Sequence, residues 1–181
     1  MKPNKWGPYI WYLIHTITYF IPDDNYFNKF SNEYFIFLNS LKSLIPCPKC
    51  RKHLTTLMNK NNIKKCKNKD EIINWCLKIH NEVNKKLGKK ILHKTKVDNI
   101  YKNIDIKRII KAIDLLVFNF QYKFPINQYK LFFQSLRIVF PNEKFREIYQ
   151  KGMKTNNIKV VNHNTLIKWY MNLGKYISKN L

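Results

Sequence analysis

The chain has 181 residues, 45% of them hydrophobic and 15% aromatic, a composition that excludes an intrinsically disordered protein. Its 34 basic and 11 acidic residues give a formal net charge of +23, which attracts nucleic acid, anionic membranes or acidic partners. No apolar run reaches the roughly 18 residues that indicate a transmembrane helix, and the N-terminus lacks the apolar core of a signal peptide. We therefore expect neither membrane insertion nor secretion.

Apolar residues recur at helical spacing along almost the whole chain, which predicts an all-α protein. The predicted helices of the first half, the last of them a short fifth turn, are residues 5–20, 27–44, 47–58, 71–87 and 97–101. In the fourth of these, Asp70 is the expected N-cap and Gly88 the expected residue after the C-terminus. The predicted helices of the second half are residues 106–120, 128–140, 142–153 and 164–178.

A weak boundary near residues 103–105 divides the chain into a first domain, residues 1–103, and a helical extension, residues 104–181. The extension contains no cysteine and no recognisable motif, so its role is open. A helical cap, a dimerisation surface and a docking platform for a partner are the alternatives. No internal repeat is apparent in the sequence.

The basic residues are 30 Lys and only 4 Arg. Sites that read bases favour the Arg fork, whereas an excess of Lys together with abundant Asn and Ile is typical of an AT-rich genome. Nucleic-acid binding is therefore not the expected main function. The 4 glycines are scattered and form neither a GxGxxG nor a GxxxxGK motif, so Rossmann and P-loop sites have no support.

The chain has 4 cysteines, for which three interpretations compete. In the first, Cys47 and Cys50 form a redox disulfide, because a CxxC at a helix N-terminus places its thiols among unpaired backbone N–H groups that favour the thiolate. In the second, these two and Cys66 and Cys76 bind zinc, with His53 as a further candidate ligand, in a basic helical module that binds nucleic acid. A thioredoxin-like fold, the third, requires a strand before the CxxC, where a helix is predicted.

Two predicted helices present aromatic and polar groups on one face. Trp11 and His15 are four residues apart in the first helix, and His80 and Asn84 are four apart in the fourth, so each pair shares a face. An indole stacks on a planar heterocycle, and imidazole and amide groups hydrogen-bond its edges. Either face alone is better explained as ordinary core with a hydrogen-bonded His. Their occurrence on both sides of a CxxC favours a dinucleotide cofactor held in a helical bundle.

The order of these motifs resembles the Erv/ALR family of FAD-linked sulfhydryl oxidases. The matching segments are WGPYIWYLIH from residue 6, CPKCRKH from residue 47 and WCLKIHNEVNKKLGK from residue 75. The resemblance covers about residues 5–101. It implies a helical bundle, commonly a homodimer, that holds FAD between its helices.

The resemblance also implies roles for individual residues. Cys47 is the expected target of a substrate thiolate and Cys50 the sulfur nearer the flavin, from which electrons reach O2 and give hydrogen peroxide. The residues expected to contact FAD are Trp11, His15, His80, Asn81, Asn84 and Lys89. Weaker candidates for FAD contact are Trp6, Gly7, Tyr19, His53, Val83, Lys85 and Tyr101. No metal ligand is expected under this interpretation.

The sequence departs from the family pattern in two ways. Family members often pair the cysteine at position 76 with one at position 93, which here is His93; Cys76 is then free or pairs with Cys66, and free thiols are favoured. No cysteine follows Cys76, so thiol-containing protein substrates must reach Cys47 directly or through a separate redox carrier protein. Without a targeting signal we expect a cytoplasmic protein, in a host cytoplasm or virion if the source is a large DNA virus, with the mitochondrial intermembrane space as the alternative.

Overall fold

The structure is a computed structural model that describes residues 2–101, 103–119, 125–157 and 159–181. Within these ranges every regular element is helical, which confirms the predicted all-α class. The α-helices are α1 (Pro3–Tyr19), α2 (Asp24–Leu44), α3 (Pro48–Lys60), α4 (Lys69–Lys86), α5 (Lys94–Ile100), α6 (Ile106–Phe118), α7 (Ile126–Val139), α8 (Glu143–Thr155) and α9 (His163–Asn180). A short 3-10 helix, Ile63–Lys65, precedes α4.

Each predicted helix is present with ends within three residues of the observed ones; α2 and α5 both begin three residues earlier than predicted, and at the start of α4 Asp70 is not the N-cap. Asn68 caps α4 instead, its Oδ1 accepting the Glu71 N–H at 2.9 Å. The Glu71 carboxylate in turn accepts the Lys67 N–H at 2.7 Å. This reciprocal pairing resembles a capping box and starts the helix two residues earlier than predicted. Gly88 has a φ of +64°, as expected after a helix C-terminus. The predicted end of the sixth helix, Phe120, lies outside the described residues.

The first four helices form a bundle, which we call the N-terminal unit. Helix α1 packs against α4, and α3 packs against both α2 and α4. The start of α3, which carries the CxxC, therefore lies in the same bundle as the aromatic faces of α1 and α4. Three separate segments of the sequence converge here.

The last four helices, α6–α9, which we call the C-terminal unit, pack directly onto this bundle. Helix α7 lies against α2, and α6 lies against α1. Helices α8 and α9 pack on each other; α8 also packs on α7, and α9 also packs on α6. The buried apolar side chains of both units belong to one hydrophobic cluster. The division at residues 103–104 stays a prediction. None of the helices in the described part of the chain is long and apolar enough to span a membrane.

Tyr12 ties the two units together at their junction. Its hydroxyl accepts the Asp105 N–H at 2.9 Å and donates to the Asn103 carbonyl at 3.2 Å. The Arg108 guanidinium lies 4.2 Å from the centre of the Tyr12 ring, a cation–π contact between α6 and α1. The path of the chain between the units is thus held by a buried side chain of α1.

Candidate functional site

The cysteine pair lies at the N-terminus of α3. Cys47 is the N-cap and is joined to Cys50 by a disulfide, with the two Cα atoms 5.1 Å apart. The Cys50 backbone N–H donates to Cys47 Sγ at 3.2 Å. Pro48 occupies the first helical position, where its missing N–H costs nothing. Unpaired N–H groups and the positive end of the helix dipole favour a thiolate here over one in solution.

The face of α3 that carries Cys50 points into the bundle. Leu54 and Met58 follow Cys50 at intervals of four residues, so the three side chains lie in one row along the helix. Both are buried and line a small apolar cavity, of about 10 Å³, between the helices of the N-terminal unit. The other residues that line it are Trp11, Ile14, Leu38, Leu41, Trp75, Cys76 and Ile79. The interval of four residues from Cys50 is the sequence signal that identifies Leu54 and Met58 as part of this face.

Four rings from α1, α4 and the end of α5 form a cluster. Trp11 and His80 stack with their centroids 4.0 Å apart and their planes within 4°. His15 Nε2 lies 2.9 Å from His80 Nδ1. The Tyr101 ring is centred 5.1 Å from that of His15. The structure therefore brings together four of the residues that were candidates for FAD contact, including Tyr101, which had been a weaker candidate.

Burial keeps both imidazoles of this cluster neutral. Burial, and then the neighbouring His80, lowers the pKa of His15 from 6.5 to about 3. Burial, and then the charge of Lys89, lowers the pKa of His80 to about 4. At neutral pH one ring nitrogen of the pair therefore donates and the other accepts. Neutral imidazoles in an apolar bundle suit hydrogen bonds to a heterocycle rather than to a free charge.

Asn81 and Asn84 hold the segment that carries Lys89. The Asn81 side chain accepts the Leu92 N–H at 2.9 Å and donates to the Leu92 carbonyl at the same distance. The Asn84 side chain donates to the Lys90 carbonyl at 3.3 Å, and the Asn84 backbone carbonyl accepts the Lys89 N–H at 2.9 Å. The two amides thus fix the backbone after α4, and contact of either with FAD stays a prediction.

The remaining candidates lie on α1, α3 and α4, outside the four-ring cluster. Trp6 is buried, and its Nε1 has no partner within the described residues. His53 on α3 is partly exposed, and burial followed by the charge of Lys86 lowers its pKa. The other candidates have no contact among the described residues that points to a ligand. They are Gly7, Tyr19, Val83 and Lys85.

Cys66 and Cys76 are both free thiols, as favoured from the sequence. Cys76 is fully buried, and burial raises its pKa to about 12. Burial raises the pKa of Cys66 to about 11. Both thiols are therefore protonated at neutral pH and unreactive. His93, at the position where family members often have the partner of Cys76, is the N-cap of α5.

The zinc interpretation finds no support in the geometry. Across the described ranges, no group of three or more His, Cys, Asp or Glu side chains is arranged to hold a metal ion. A structural zinc site needs four such ligands in a tetrahedron.

A family model described as the Erv1 / Alr family matches residues 8–102. The chain belongs to this family. The matched range includes the CxxC and all four rings of the cluster, and it ends before α6.

Curated viral proteins are similar over the same part of the chain. A protein of African swine fever virus (isolate Pig/Kenya/KEN-50/1950), named FAD-linked sulfhydryl oxidase, is 35% identical over 105 residues, which are 58% of this chain and 86% of the relative. A probable FAD-linked sulfhydryl oxidase, R368, of Acanthamoeba polyphaga mimivirus is 32% identical over 94 residues, which are 51% of this chain and 65% of that protein. No solved structure matches. The family predicted from the sequence is confirmed.

The residues of the N-terminal unit fit FAD. The stacked Trp11 and His80 offer flat aromatic surfaces, and neutral His15 and His80 offer one donor and one acceptor. The buried Trp6 Nε1 offers a donor that no described residue uses. Exposed lysines at the end of α4 and just beyond it, among them Lys85 and Lys89, offer positive charge for a pyrophosphate.

Proposed function

We propose that the chain is an FAD-linked thiol oxidase that forms disulfides in protein substrates through Cys47 and Cys50. The observation that carries this proposal is the position of Cys50. It lies at the helix N-terminus that favours a thiolate and on the row of α3 side chains that lines the apolar cavity. Trp11 lines the same cavity and stacks on His80, so the row leads from the disulfide to the aromatic cluster.

The protein sulfurs carry out the exchange with substrate. A substrate thiolate attacks Cys47 Sγ, a new S–S bond forms, and the Cys47–Cys50 bond breaks with Cys50 leaving as the thiolate. A second substrate thiol resolves the mixed disulfide, which releases the substrate disulfide and leaves a Cys47–Cys50 dithiol. Both sulfurs are partly buried, but Cys47 suits the first attack because the exposed Pro48 and Lys49 follow it, whereas Cys50 begins the row of α3 side chains that continues into the bundle. The Cys50 N–H, which now donates to Cys47 Sγ, also stabilises a thiolate on Cys47 after reduction.

FAD, when bound, would take up the electron pair of the dithiol and transfer it to O2, giving hydrogen peroxide. The chain would hold it through Trp11 and the neutral His15 and His80, and the lysines after α4 would neutralise its phosphates. The apolar walls formed by Leu54 and Met58 exclude water from the path between sulfur and cofactor. His53 lies one turn beyond Cys50, and burial followed by the charge of Lys86 lowers its pKa.

The expected partners are thiol-containing proteins or a redox carrier, with O2 as the electron acceptor. A large substrate has access to Cys47, since the surface around Pro48 is exposed. The homodimer implied by the family resemblance stays a prediction, as does a cytoplasmic location. The position of the C-terminal unit is relevant to the homodimer.

Oxygen consumption with a small dithiol, measured beside a visible spectrum of the same sample, tests the proposal. The wild-type chain should be yellow and consume O2 with release of hydrogen peroxide. Cys50→Ser should retain the flavin band and lose turnover, because the disulfide can no longer form. Cys66→Ser is the matched control, since Cys66 is a half-buried free thiol outside the site. A protein that stays colourless after reconstitution with FAD, or a Cys50→Ser variant that still turns over, would refute it.

A further inference from the structure

The first turns of α3 and α8 contain the same side-chain hydrogen bond. Arg51 Nη1 donates to the Ile45 carbonyl at 3.0 Å, and Arg146 Nη1 donates to the Phe140 carbonyl at 2.9 Å. Each arginine follows its acceptor by six residues, and the two bonds lie 95 positions apart in the chain. A proline comes directly after each acceptor. The turn between α2 and α3 is thus repeated between α7 and α8.

The connection to the last helix of each unit is repeated as well. Trp75 Nε1 donates to the Asn61 carbonyl, and Trp169 Nε1 donates to the Asn156 carbonyl, both at 2.7 Å. The two tryptophans lie 94 positions apart and the two asparagines 95. Each asparagine side chain also donates to the carbonyl four residues before it, at 2.9 and 3.1 Å. Both asparagines are the C-caps of their helices.

Between these bonds the two sequences align without a gap. Residues 34–61 and 129–156, both 28 positions long, are identical at 9 of them. The identical positions include buried side chains such as Ser40 and Ser135, whose hydroxyls donate to the carbonyl three residues earlier at 2.7 and 3.0 Å. Phe37 and Phe132, also identical, stack on each other with centroids 5.2 Å apart. Equivalent residues that touch each other mark a two-fold axis, as at an isologous interface between subunits.

The first helices of the units correspond in burial rather than in identity. A shift of 99 positions aligns buried residues of α1 with buried residues of α6. The pairs are Ile10 with Ile109, Leu13 with Ala112, Ile14 with Ile113, and Ile17 with Leu116. Helix α1 packs against α6 just as α2 packs against its equivalent α7. Two equivalent helix pairs therefore meet across the same axis.

The clefts on the outer faces of the two units also correspond. One cleft, between α2 and α3, is lined by residues that include Asn39 and Met58. The other, between α7 and α8, is lined by residues that include Gln134 and Met153, each 95 positions further along. The similarity thus extends from the shared interface to the surface.

The second unit lacks the groups that the first would use in catalysis. Asn142 and Phe145 stand where the first unit has its two cysteines, and Asn142 Oδ1 still accepts the N–H of residue 145 at 2.8 Å. Gly174 stands at the position of His80, and Asp114 at that of His15. Asp114 accepts the Tyr170 hydroxyl hydrogen at 2.8 Å, and the Tyr170 ring packs on Phe118 and Phe133. Side chains of the second unit fill its own bundle.

We propose that α6–α9 are a degenerate second copy of α1–α4 and take, within one chain, the place of a second subunit. The face of α1 and α2 that includes Ile17 and Phe37 is fully covered by α6 and α7, so another chain cannot use it. The protein is then a monomer with one disulfide and one flavin site, in place of the homodimer that the family resemblance implied. The repeat is not apparent in the sequence because the copies are identical at only 9 of these 28 positions and the cysteines and histidines of the first copy do not recur in the second.

Native mass spectrometry and light scattering of the full chain, saturated with FAD at low micromolar concentration, test this proposal. The expected result is a single species of 22.0 kDa with one flavin per chain. A stable species of twice that protein mass would overturn it. Hydrogen exchange adds a second test: amides of α2 and α7 should be equally protected at all protein concentrations. Protection of α2 that appears only at high concentration would place another chain on this face and overturn the proposal.

The flavin count rests on the proposed function, whereas the mass does not. A monomer that binds no flavin would refute the oxidase and leave the second copy in place. A dimer that consumes O2 would support the oxidase and overturn the proposed second copy. Two flavins on a monomer would show that the second unit kept a working site and would overturn its assignment as degenerate.

Discussion

His15 and His80, 65 residues apart in sequence, meet ring nitrogen to ring nitrogen at 2.9 Å. Each comes from a different helix, and the Trp11 ring stacked on His80 fixes the second imidazole in orientation. Because burial lowers the pKa of both, the pair consists of two neutral rings at pH 7. This contact is the point at which the two halves of the predicted flavin site are joined.

The histidine pair should make the fold less stable in acid. The pKa values of His15 and His80 are about 3 and about 4 in the folded chain and near 6.5 in the unfolded chain. At a pH between its folded and unfolded pKa values, each histidine binds more protons in the unfolded state. Stability should therefore fall as the pH drops below about 6.5, by at most about 1.4 kcal/mol per pH unit for each histidine. Chemical denaturation of the flavin-free chain from pH 7 to pH 4 measures this slope.

The matched variants for this experiment are His80→Gln and His93→Gln. His80→Gln should reduce the slope, since one buried imidazole is gone and His15 loses its partner. His93 is an exposed N-cap that makes no side-chain cap bond, so its replacement should leave the slope unchanged. Equal slopes in all three proteins would mean that the pair is protonated while folded.

The two cysteines should differ in their reaction with substrate. Cys50→Ser leaves Cys47 as the accessible thiol, which should accumulate a mixed disulfide when treated with an oxidised small thiol. Cys47→Ser leaves Cys50, which lies in the same α3 row as the buried Leu54 and packs against the core, and should form much less adduct. Intact mass after a timed quench measures the ratio. Equal labelling of the two variants would contradict the assignment of Cys47 as the entry sulfur.

Much of the fold was predictable because each helix carries its own signals. Spacing of apolar residues sets the helices, and Gly88 marks an end that the structure confirms. The start of α4 was misplaced because two residues, Asn68 and Asp70, both suit an N-cap, and only the Glu71 side chain decides between them.

The candidate site was predictable to the extent that its residues share helix faces. Trp11 with His15, and Cys50 with Leu54, lie on faces that spacing alone defines. That the α1 and α4 faces meet depends on how the helices pack, which spacing does not determine. Asn81 was not predictable in this way. Its side-chain amide hydrogen-bonds the Leu92 backbone across a turn, and helical spacing says nothing about such a turn.

Trp75 and Trp169 make the same hydrogen bond in the two units and should contribute equally to stability. Trp75→Phe and Trp169→Phe each leave one carbonyl without its indole donor, at a cost of about 1–3 kcal/mol. Urea denaturation compares them. Only Trp75→Phe should also alter the flavin absorbance band, because Trp75 lines the cavity of the first unit. A spectral change in Trp169→Phe would argue for a flavin in the second unit.

Two glycines of the C-terminal unit should respond in opposite ways to alanine. A Cβ at Gly152 would lie 2.8 Å from Leu173 Cδ1 and from Tyr176 Cδ1. Leu173 is buried and cannot withdraw, so Gly152→Ala should lower the free energy of unfolding by about 1–3 kcal/mol. At Gly174 a Cβ meets no atom of the described residues within 4 Å. Gly174→Ala should raise stability by up to about 1 kcal/mol, because glycine is a poor residue inside a helix.

The position of Gly152 also tests how the second copy packs. It corresponds to Leu57 in the first unit, 95 positions earlier, and Tyr176 corresponds to Glu82, 94 positions earlier. The large side chain thus comes from the third helix in one unit and from the fourth in the other. Gly152→Leu alone should therefore destabilise strongly, and combining it with Tyr176→Ala should recover part of the loss in urea denaturation. Additive losses in the double variant would show that the two side chains do not share one space.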